Sequence, residues 1–357
     1  MPPGLRGGSS NPQVWHLTPG RSNDGRPARR RTVAIVTDST RPVGRFTIRY
    51  GDHVTRARRD GRPVVALEST IVSHGLPRPD NLRVAREIER TVRDNGAVPA
   101  TIGMIGGELI VGLSDAQIEH LAGADGVAKL SVRDLAVAAA SGADGATTVA
   151  ATSAVAASAG IGVFATGGLG GVHREASATF DESADLTTLA RTPIVVVCAG
   201  VKSILDVGAT LERLETLGVS VAGYGTRRFP GFFVTDGGFD VDWQLDSPAQ
   251  VAAVMAAREE QGVGAGALVL GNPLPADEQL DPALHDRTLA EGLELLARDG
   301  VTGKAVTPFL LAHFHSSTEG RSLEVNVRII LRNAALAAQI AAAATPAHAA
   351  LGFSLPG

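Results

Sequence analysis

The sequence of 357 residues contains little cysteine, little lysine and few aromatic side chains. Its one cysteine, Cys198, excludes an intramolecular disulfide framework and favours a reducing, cytoplasmic compartment. No apolar segment follows the charges near the N-terminus, and the uncharged run at residues 145–172 consists mainly of Gly, Ala, Ser and Thr. We therefore expect neither a secretory signal nor a membrane span.

The charges are divided unevenly along the chain. Residues 1–62 carry 13 Arg and four Asp, a net charge of +9, whereas the remaining residues carry 20 basic and 33 acidic side chains, a net charge of −13. The Arg run at residues 29–31 is typical of a solvated arm, with RNA or an acidic surface as the alternative contact. An acidic main body argues against nucleic acid as the principal partner.

Hydrophobic periodicity divides the chain into three parts. Residues 1–46 are rich in Arg, Gly and Pro without a sustained period and are predicted to be a mobile extension. Residues 47–342 are predicted to form a single domain, and residues 343–357 an Ala/Pro-rich tail. Apolar residues make up 44% of the chain, enough for a substantial core.

Within the central part, short apolar strands alternate with amphipathic helices. Examples are the run at residues 194–199, a helix predicted over residues 203–217 and a last helix over residues 323–341. Continuous apolar strands indicate a sheet that is covered on both faces. The predicted fold is therefore α/β, a three-layer α/β/α sandwich around a largely parallel, mixed sheet.

The scarcity of lysine points to candidate functional residues. Only Lys129, Lys202 and Lys304 stand beside 30 Arg, and lysine, unlike arginine, can lose its proton and act as a nucleophile. Lys202 follows a buried strand and precedes the helix predicted to begin at Ser203, where burial and the positive helix end would favour the neutral amine. The alternative is a phosphate contact at a helix start. Lys129 suits an anion contact, and Lys304 lies in a Gly-flanked turn.

Other side chains near predicted strand ends can do chemistry as well. Glu68 ends a strand and suits a general acid or base, or else a cap or salt bridge. The acidic cluster at residues 181–185 suits Mg²⁺ or Mn²⁺, or else a solvated turn. The glycines of residues 167–171 permit close approach of a phosphate, and His173 is either a substrate contact or a structural histidine.

Eight sequence blocks, in order, resemble the pseudouridine-5′-phosphate glycosidase family. They are VALESTIVSHG (65–75), GAVPATI (96–102), GATTVA (145–150), FATGGLGGVH (164–173), FDESADL (180–186), CAGVKSILD (198–206), NPLP (272–275) and TPFLL (307–311). The resemblance covers about residues 50–340. It implies a homotrimeric, metal-dependent enzyme that reversibly converts pseudouridine 5′-phosphate and water to uracil and ribose 5-phosphate, with no membrane partner.

The resemblance also implies roles for individual residues. Lys202 matches the catalytic lysine, Glu68 the proton donor and Asp181 the Mn²⁺-associated aspartate, for which Mg²⁺ is an alternative ion. Substrate-binding positions match Lys129, Val149, Ser183, Ala184 and Asp185, and His173 and Asn326 fall in motifs that line the same pocket.

The glycosidic bond of pseudouridine joins two carbon atoms, so protonation of a leaving heteroatom is not available. An amine can instead open the ribose and form an imine at C1′, which acts as an electron sink. Two alternatives stay open: another sugar-phosphate lyase or aldolase that forms a Schiff base on Lys202, and a non-catalytic binder of nucleotides or sugar phosphates.

Overall fold

The computed structural model describes residues 46–345, with the side chain of Lys304 left out. Nearly all of the predicted extension and tail, including the Arg run at residues 29–31, lies outside the described residues. The proposed domain bounds therefore stay predictions.

Eleven strands and twelve α-helices make up the described range. The strands are β1 (Arg49–Tyr50), β2 (Val64–Leu67), β3 (Val98–Ile105), β4 (Glu108–Val111), β5 (Ala128–Leu130), β6 (Gly145–Thr147), β7 (Val163–Ala165), β8 (Val195–Cys198), β9 (Ser220–Tyr224), β10 (Trp243–Leu245) and β11 (Leu268–Gly271). The helices are α1 (Asp52–Arg59), α2 (Asp80–Asp94), α3 (Asp115–Gly123), α4 (Leu135–Ser141), α5 (Val149–Ser158), α6 (Ala176–Thr179), α7 (Ala184–Leu189), α8 (Val207–Thr216), α9 (Pro248–Glu260), α10 (Pro282–Arg298), α11 (Val306–Ser317) and α12 (Arg321–Ala344). A π-helical turn covers Ile71–Gly75, and 3₁₀ turns cover Val132–Asp134 and Gly303–Ala305.

All eleven strands belong to one sheet. Its order is β1-β4-β3-β2-β7-β8-β11-β9-β10, with β6 paired to β3 and β5 paired to β6. Every pair is parallel except β3 with β4 and β3 with β6. The prediction of a largely parallel, mixed sheet is confirmed.

Alternate strand residues build a core layer on each face of the sheet. Val65 and Leu67 of β2 pack with residues of α2 and α12, whereas Ala66 packs with residues of α5 and α7 on the opposite face. This division follows from the two-residue repeat of a strand. Helices therefore cover both faces, and the predicted three-layer α/β/α sandwich is confirmed.

Helix α12 is the one helix in the described range that is long and apolar enough to cross a membrane by length and composition. Half of its most apolar window is buried inside the protein. It packs against α2, α9 and strands β2, β7 and β8. Its apolar face is therefore explained by its place as a core helix across the centre of the sheet.

The helix predicted over residues 203–217 is shorter than expected, because α8 begins only at Val207. The Asp206 carboxylate accepts a hydrogen bond from the Ala209 N–H at 2.9 Å and caps the helix. The Asp206 N–H donates to the Val172 carbonyl at 2.9 Å, which holds the preceding residues in a loop. The stronger cap therefore lies three positions beyond Ser203.

Candidate active site

Three neighbouring parallel strands bring polar residues to one edge of the sheet. Strands β2, β7 and β8 lie side by side and run in the same direction. Glu68 directly follows β2, Thr166 directly follows β7, and Lys202 lies in the loop beyond β8. Ligand sites of open parallel sheets form outside the carboxyl ends of the strands. This edge is the candidate active site.

Two threonine hydroxyls hold the carboxylate of Glu68. Thr70 Oγ1 donates to Glu68 Oε2, and Thr166 Oγ1 donates to Glu68 Oε1. Glu68 is 9% exposed and Thr166 is fully buried. Because both carboxylate oxygens have a donor, the side chain has one defined orientation toward the space in front of the strands.

Lys202 lies in a loop that is fixed by its backbone. Its N–H donates to the Leu169 carbonyl at 3.1 Å, and its carbonyl accepts from the Leu205 N–H at 2.9 Å. The ammonium makes no hydrogen bond or ion pair with any residue that the structure describes. The sequence argument that a helix N-terminus lies directly against Lys202 is wrong, since α8 begins five positions later. The half-buried lysine is nonetheless held in place with its amine available to a ligand.

Two cavities meet at these residues. Their volumes are about 470 and about 290 Å³, a size suited to small ligands. The residues that line both are Glu68, Thr70, Lys129, Lys202 and Thr307. The larger cavity, called here the polar cavity, also contains the carboxylates of the acidic segment 181–185. The smaller, called the apolar cavity, has walls of Ile71, Phe232, Pro308 and Leu311.

The ten residues singled out from the sequence all line one or both of these cavities. Nine of them line the polar cavity: Glu68, Lys129, Val149, His173, Asp181, Ser183, Ala184, Asp185 and Lys202. The apolar cavity is lined by Asn326 and by the shared Glu68, Lys129 and Lys202. Their individual roles stay predictions. Residues from seven separate segments thus converge on one place, which sequence spacing alone does not reveal.

Asp185 is buried and joins two parts of the site. Its Oδ1 accepts from the Ala150 N–H at the start of α5, and its Oδ2 accepts from the Gly170 N–H, both at 2.8 Å. A Cβ atom at residue 170 would lie 2.3 Å from Ser183 Oγ and 2.7 Å from Asp185 Oδ2. Glycine is therefore required for this close approach. Asp185 ties the glycine-rich loop to α5, and both line the polar cavity.

Asp181 is the most available carboxylate of the same segment. His173 Nδ1 lies 3.8 Å from its Oδ2, and the His173 N–H donates to its backbone carbonyl at 3.0 Å. Within residues 46–345 no three or more His, Cys, Asp or Glu side chains form a group that could enclose a metal ion. Asp181 therefore suits an ion that binds one protein carboxylate and completes its coordination shell with oxygens of water and ligand, as Mg²⁺ commonly does.

His74 is a site residue that the sequence argument quoted only as part of a block. It lies in the π-helical turn Ile71–Gly75 and lines the apolar cavity. Burial lowers the pKa of His74, the positive charge of Lys129 lowers it further, and a hydrogen bond with the Val127 backbone opposes both. A neutral imidazole beside the cavity results.

Thr70 and Thr166 are the other residues that sequence reasoning missed. Both stand in the blocks at 65–75 and 164–173, but nothing in either block indicates that their hydroxyls meet at Glu68. Cys198 is fully buried, and burial raises the pKa of its thiol to about 12, so it is an unreactive core residue.

Comparison with known proteins identifies relatives of this chain. The family profile described as "Indigoidine synthase A like protein" matches residues 53–343. The chain is 76% identical over 320 residues to pseudouridine-5′-phosphate glycosidase of Salinispora tropica, covering 90% of this chain and 98% of that protein. It is 59% identical over 295 residues to the protein of the same name from Streptomyces griseus subsp. griseus, covering 83% of this chain and 91% of the relative.

Two solved structures share the fold. The prealnumycin C-glycosynthase AlnA, in complex with ribulose 5-phosphate, is 38% identical with a TM-score of 0.77, and the match covers 84% of this chain and 97% of that one. An indigoidine synthase A-like protein of Thermotoga maritima is 34% identical with a TM-score of 0.74, covering 83% and 95% of the two chains.

Proposed function

The chain belongs to the family of indigoidine synthase A like proteins, among its pseudouridine-5′-phosphate glycosidases, and we propose that it cleaves pseudouridine 5′-phosphate to uracil and ribose 5-phosphate. The observation that carries the proposal is the pairing of Lys202 with Glu68. Both line the same two cavities. The amine has no protein partner within the described range, and the carboxylate is held by threonines rather than by the amine.

The reaction needs a nucleophile at C1′ and a proton at C5 of the base. Lys202 Nζ, as the neutral amine, forms a bond to C1′ as the bond from C1′ to the ring oxygen breaks. The ring oxygen takes up a proton from the solvent, and the Glu68 carboxylate takes the proton that the attached nitrogen loses. A proton from Glu68 then adds to C5 while the C1′–C5 bond breaks, and the electron pair of that bond stays with uracil. The nitrogen lone pair stabilises C1′ as an iminium ion, which water hydrolyses to ribose 5-phosphate and free lysine.

The two cavities supply separate places for the two halves of the substrate. In the polar cavity Lys129 supplies a positive charge for a ribose phosphate, and the glycine-rich loop lets the backbone come close to that phosphate. The apolar cavity offers flat apolar walls and the amide of Asn326 for a pyrimidine. The related AlnA, in complex with ribulose 5-phosphate, supports a sugar phosphate as the substrate class.

A divalent ion, Mn²⁺ or Mg²⁺, would be held by Asp181. Such an ion neutralises charge on sugar and phosphate oxygens when it is bound. The protein contributes one carboxylate, and His173 Nδ1 lies beside it, 3.8 Å from Asp181 Oδ2. A homotrimeric assembly and a cytoplasmic location complete the proposal, the first resting on the family resemblance and the second on the single cysteine.

The rival functions differ in their products. A Schiff-base aldolase or lyase of another specificity would use Lys202 without releasing uracil. A non-catalytic binder would retain ligand with no turnover. Identity of 76% to a glycosidase against 38% to a C-glycosynthase favours cleavage of the pseudouridine bond.

The test measures uracil released from pseudouridine 5′-phosphate by the wild type, Lys202→Ala and Lys202→Arg, with and without Mn²⁺. We expect release by the wild type and a loss of at least about 1,000-fold in both variants, because neither alanine nor a permanently protonated guanidinium can form the bond to C1′. Borohydride added during wild-type turnover should leave a ribose-phosphate adduct on Lys202. Full activity of Lys202→Arg, or turnover without any adduct, would contradict the mechanism.

A further inference from the structure

The proposed function leaves open how Glu68 is kept from pairing with Lys202. Both residues line both cavities, and a carboxylate beside an ammonium favours the protonated amine, which is not a nucleophile. In the structure the two oxygens of Glu68 instead accept from Thr70 and Thr166. The threonines thus take the place of Lys202 as partners of Glu68, although both residues line the same cavities.

The two threonines differ in their access to a ligand. Thr70 lines both cavities, so its side chain can also touch substrate. Thr166 is fully buried and lines neither cavity. Its hydroxyl reaches Glu68 from the protein side, so any effect that it has on the reaction passes through Glu68.

Thr166 is itself fixed by three separate elements. Its N–H donates to the Val197 carbonyl of β8 at 3.0 Å. Its carbonyl accepts from Asn333 Nδ2 of α12 at 2.8 Å. Its hydroxyl donates to Glu68 beyond β2. Every polar group of Thr166 therefore has a hydrogen-bond partner, and the β-branched side chain is restricted in its rotamers as well.

A buried amide pair extends this network to a fourth strand. Asn333 Oδ1 accepts from Asn272 Nδ2 at 2.9 Å, and the Asn272 N–H donates to the Cys198 carbonyl at 2.8 Å. Asn333 is fully buried and Asn272 is 9% exposed. Asn272 follows β11, so the ends of β2, β7, β8 and β11 are joined through Thr166 and Asn333. The NPLP block at 272–275 gains a physical role from this contact.

We infer that Thr166, held by Asn333 and Asn272, is a positioning residue that aims the Glu68 carboxylate at C5 of the base and keeps it apart from Lys202. The inference rests on the proposed function. It assigns to Thr166 no contact with substrate, and it predicts that only the step that uses Glu68 depends on the hydroxyl.

The test compares Thr166→Val, which keeps the shape and removes the hydroxyl, with Thr166→Ser, which keeps the hydroxyl. For uracil release we expect kcat of Thr166→Val to fall by about 10- to 100-fold, because a misplacement of about 1 Å can cost that much. KM should stay within about threefold, since Thr166 lines neither cavity. Thr166→Ser should recover kcat to within about threefold of the wild type. Thr192→Val is the matched control, because Thr192 is a buried threonine whose hydroxyl donates to the Thr188 carbonyl at 2.7 Å. This variant should turn over as the wild type does.

A second measurement isolates the lysine step. Ribose 5-phosphate with borohydride should trap an imine on Lys202 without any proton transfer to C5, so Thr166→Val should form the adduct to the same extent as the wild type. Equal turnover by Thr166→Val and the wild type would overturn the inference, as would loss of trapping in step with turnover. If Thr166→Val does not fold, Thr166→Ala also removes the hydroxyl, and it is judged by the same kcat, KM and trapping measurements. Absence of uracil release or trapping in the wild type would instead reject the proposed function.

Discussion

The three carboxylates of the acidic segment at residues 181–185 have three different partners. Asp185 accepts two backbone N–H groups, Glu182 pairs with Arg213 at 3.0 Å, and Asp181 faces the polar cavity beside His173. A carboxylate that accepts two amide N–H groups in a buried place is an integral part of the fold. At the residue scale, one short run of acids thus divides into a carboxylate that supports the fold, one that pairs with an arginine and one that faces the cavity.

Replacement of Asp185 by Asn should therefore lower stability as well as activity. The amide has one acceptor oxygen and an NH₂ group that would face a backbone N–H, so one of the two donors loses its partner. We expect Asp185→Asn to lower the free energy of unfolding by about 1–3 kcal/mol, measured by urea denaturation. Asp181→Asn, a change of the same kind in the same cavity, is the control and should leave stability nearly unchanged. Equal losses in the two variants would contradict the supporting role of Asp185.

At the element scale, the π-helical turn Ile71–Gly75 connects Glu68 to the apolar cavity. It begins three residues after Glu68 and places His74 at the cavity wall. π-helical segments recur at functional sites because the wider turn redirects a side chain. The turn packs on α2, α3 and α11, so the position of His74 is decided by three helices outside the sheet.

The lowered pKa of His74 predicts how stability changes with pH. The unfolded chain takes up a proton near pH 6.5, whereas folded His74 stays neutral to a lower pH. Protons therefore favour the unfolded state, and the stability due to His74 is lost as the pH falls below about 6.5 toward its folded pKa. Urea midpoints at pH 7.5 and 5.5 should differ less for His74→Asn than for the wild type. His315→Asn, on an exposed part of α11, controls for the loss of an imidazole, and an identical pH dependence in all three proteins would contradict the prediction.

At the scale of the whole molecule, all residues that line the polar or the apolar cavity lie between residues 68 and 326. The family profile begins at residue 53. The basic segment before it contributes most of the positive charge of the first 62 residues. Of this segment the structure describes residues 46–52: β1 (Arg49–Tyr50) pairs with β4 in the sheet, and none of these residues lines the candidate site.

A chain that begins at residue 46 should therefore release uracil with kcat and KM within about twofold of the full chain, assayed side by side at equal protein concentration. Retention on RNA at low salt tests the alternative role of the Arg-rich segment, since binding through phosphates falls steeply with added salt. A large loss of kcat on truncation would show that the first 45 residues take part in catalysis.

The sequence predicted the fold class because its signals are local. Strand and helix periods, together with continuous apolar strands, are enough to indicate a covered, largely parallel sheet. The pattern predicts the last helix over residues 323–341, and the structure has it at Arg321–Ala344. The predicted start of α8 at Ser203 is wrong, because Ser203 and Asp206 both make good caps and the contact of Asp206 with Val172 selects the second.

The sequence by itself determined which functional groups the chain contains. They are three lysines among many arginines, a glutamate at a strand end, a glycine-rich loop and the family blocks in their order. The tertiary structure decided how those groups are combined. The hydroxyls of Thr70 and Thr166 both donate to Glu68, although Thr166 is 98 positions away from it in the sequence. Asn333, which donates to Thr166, is another 167 positions along the chain. Hydrogen bonds between such distant residues leave no periodic trace in a sequence, because they depend on which strands lie side by side and not on which residues are neighbours in the chain.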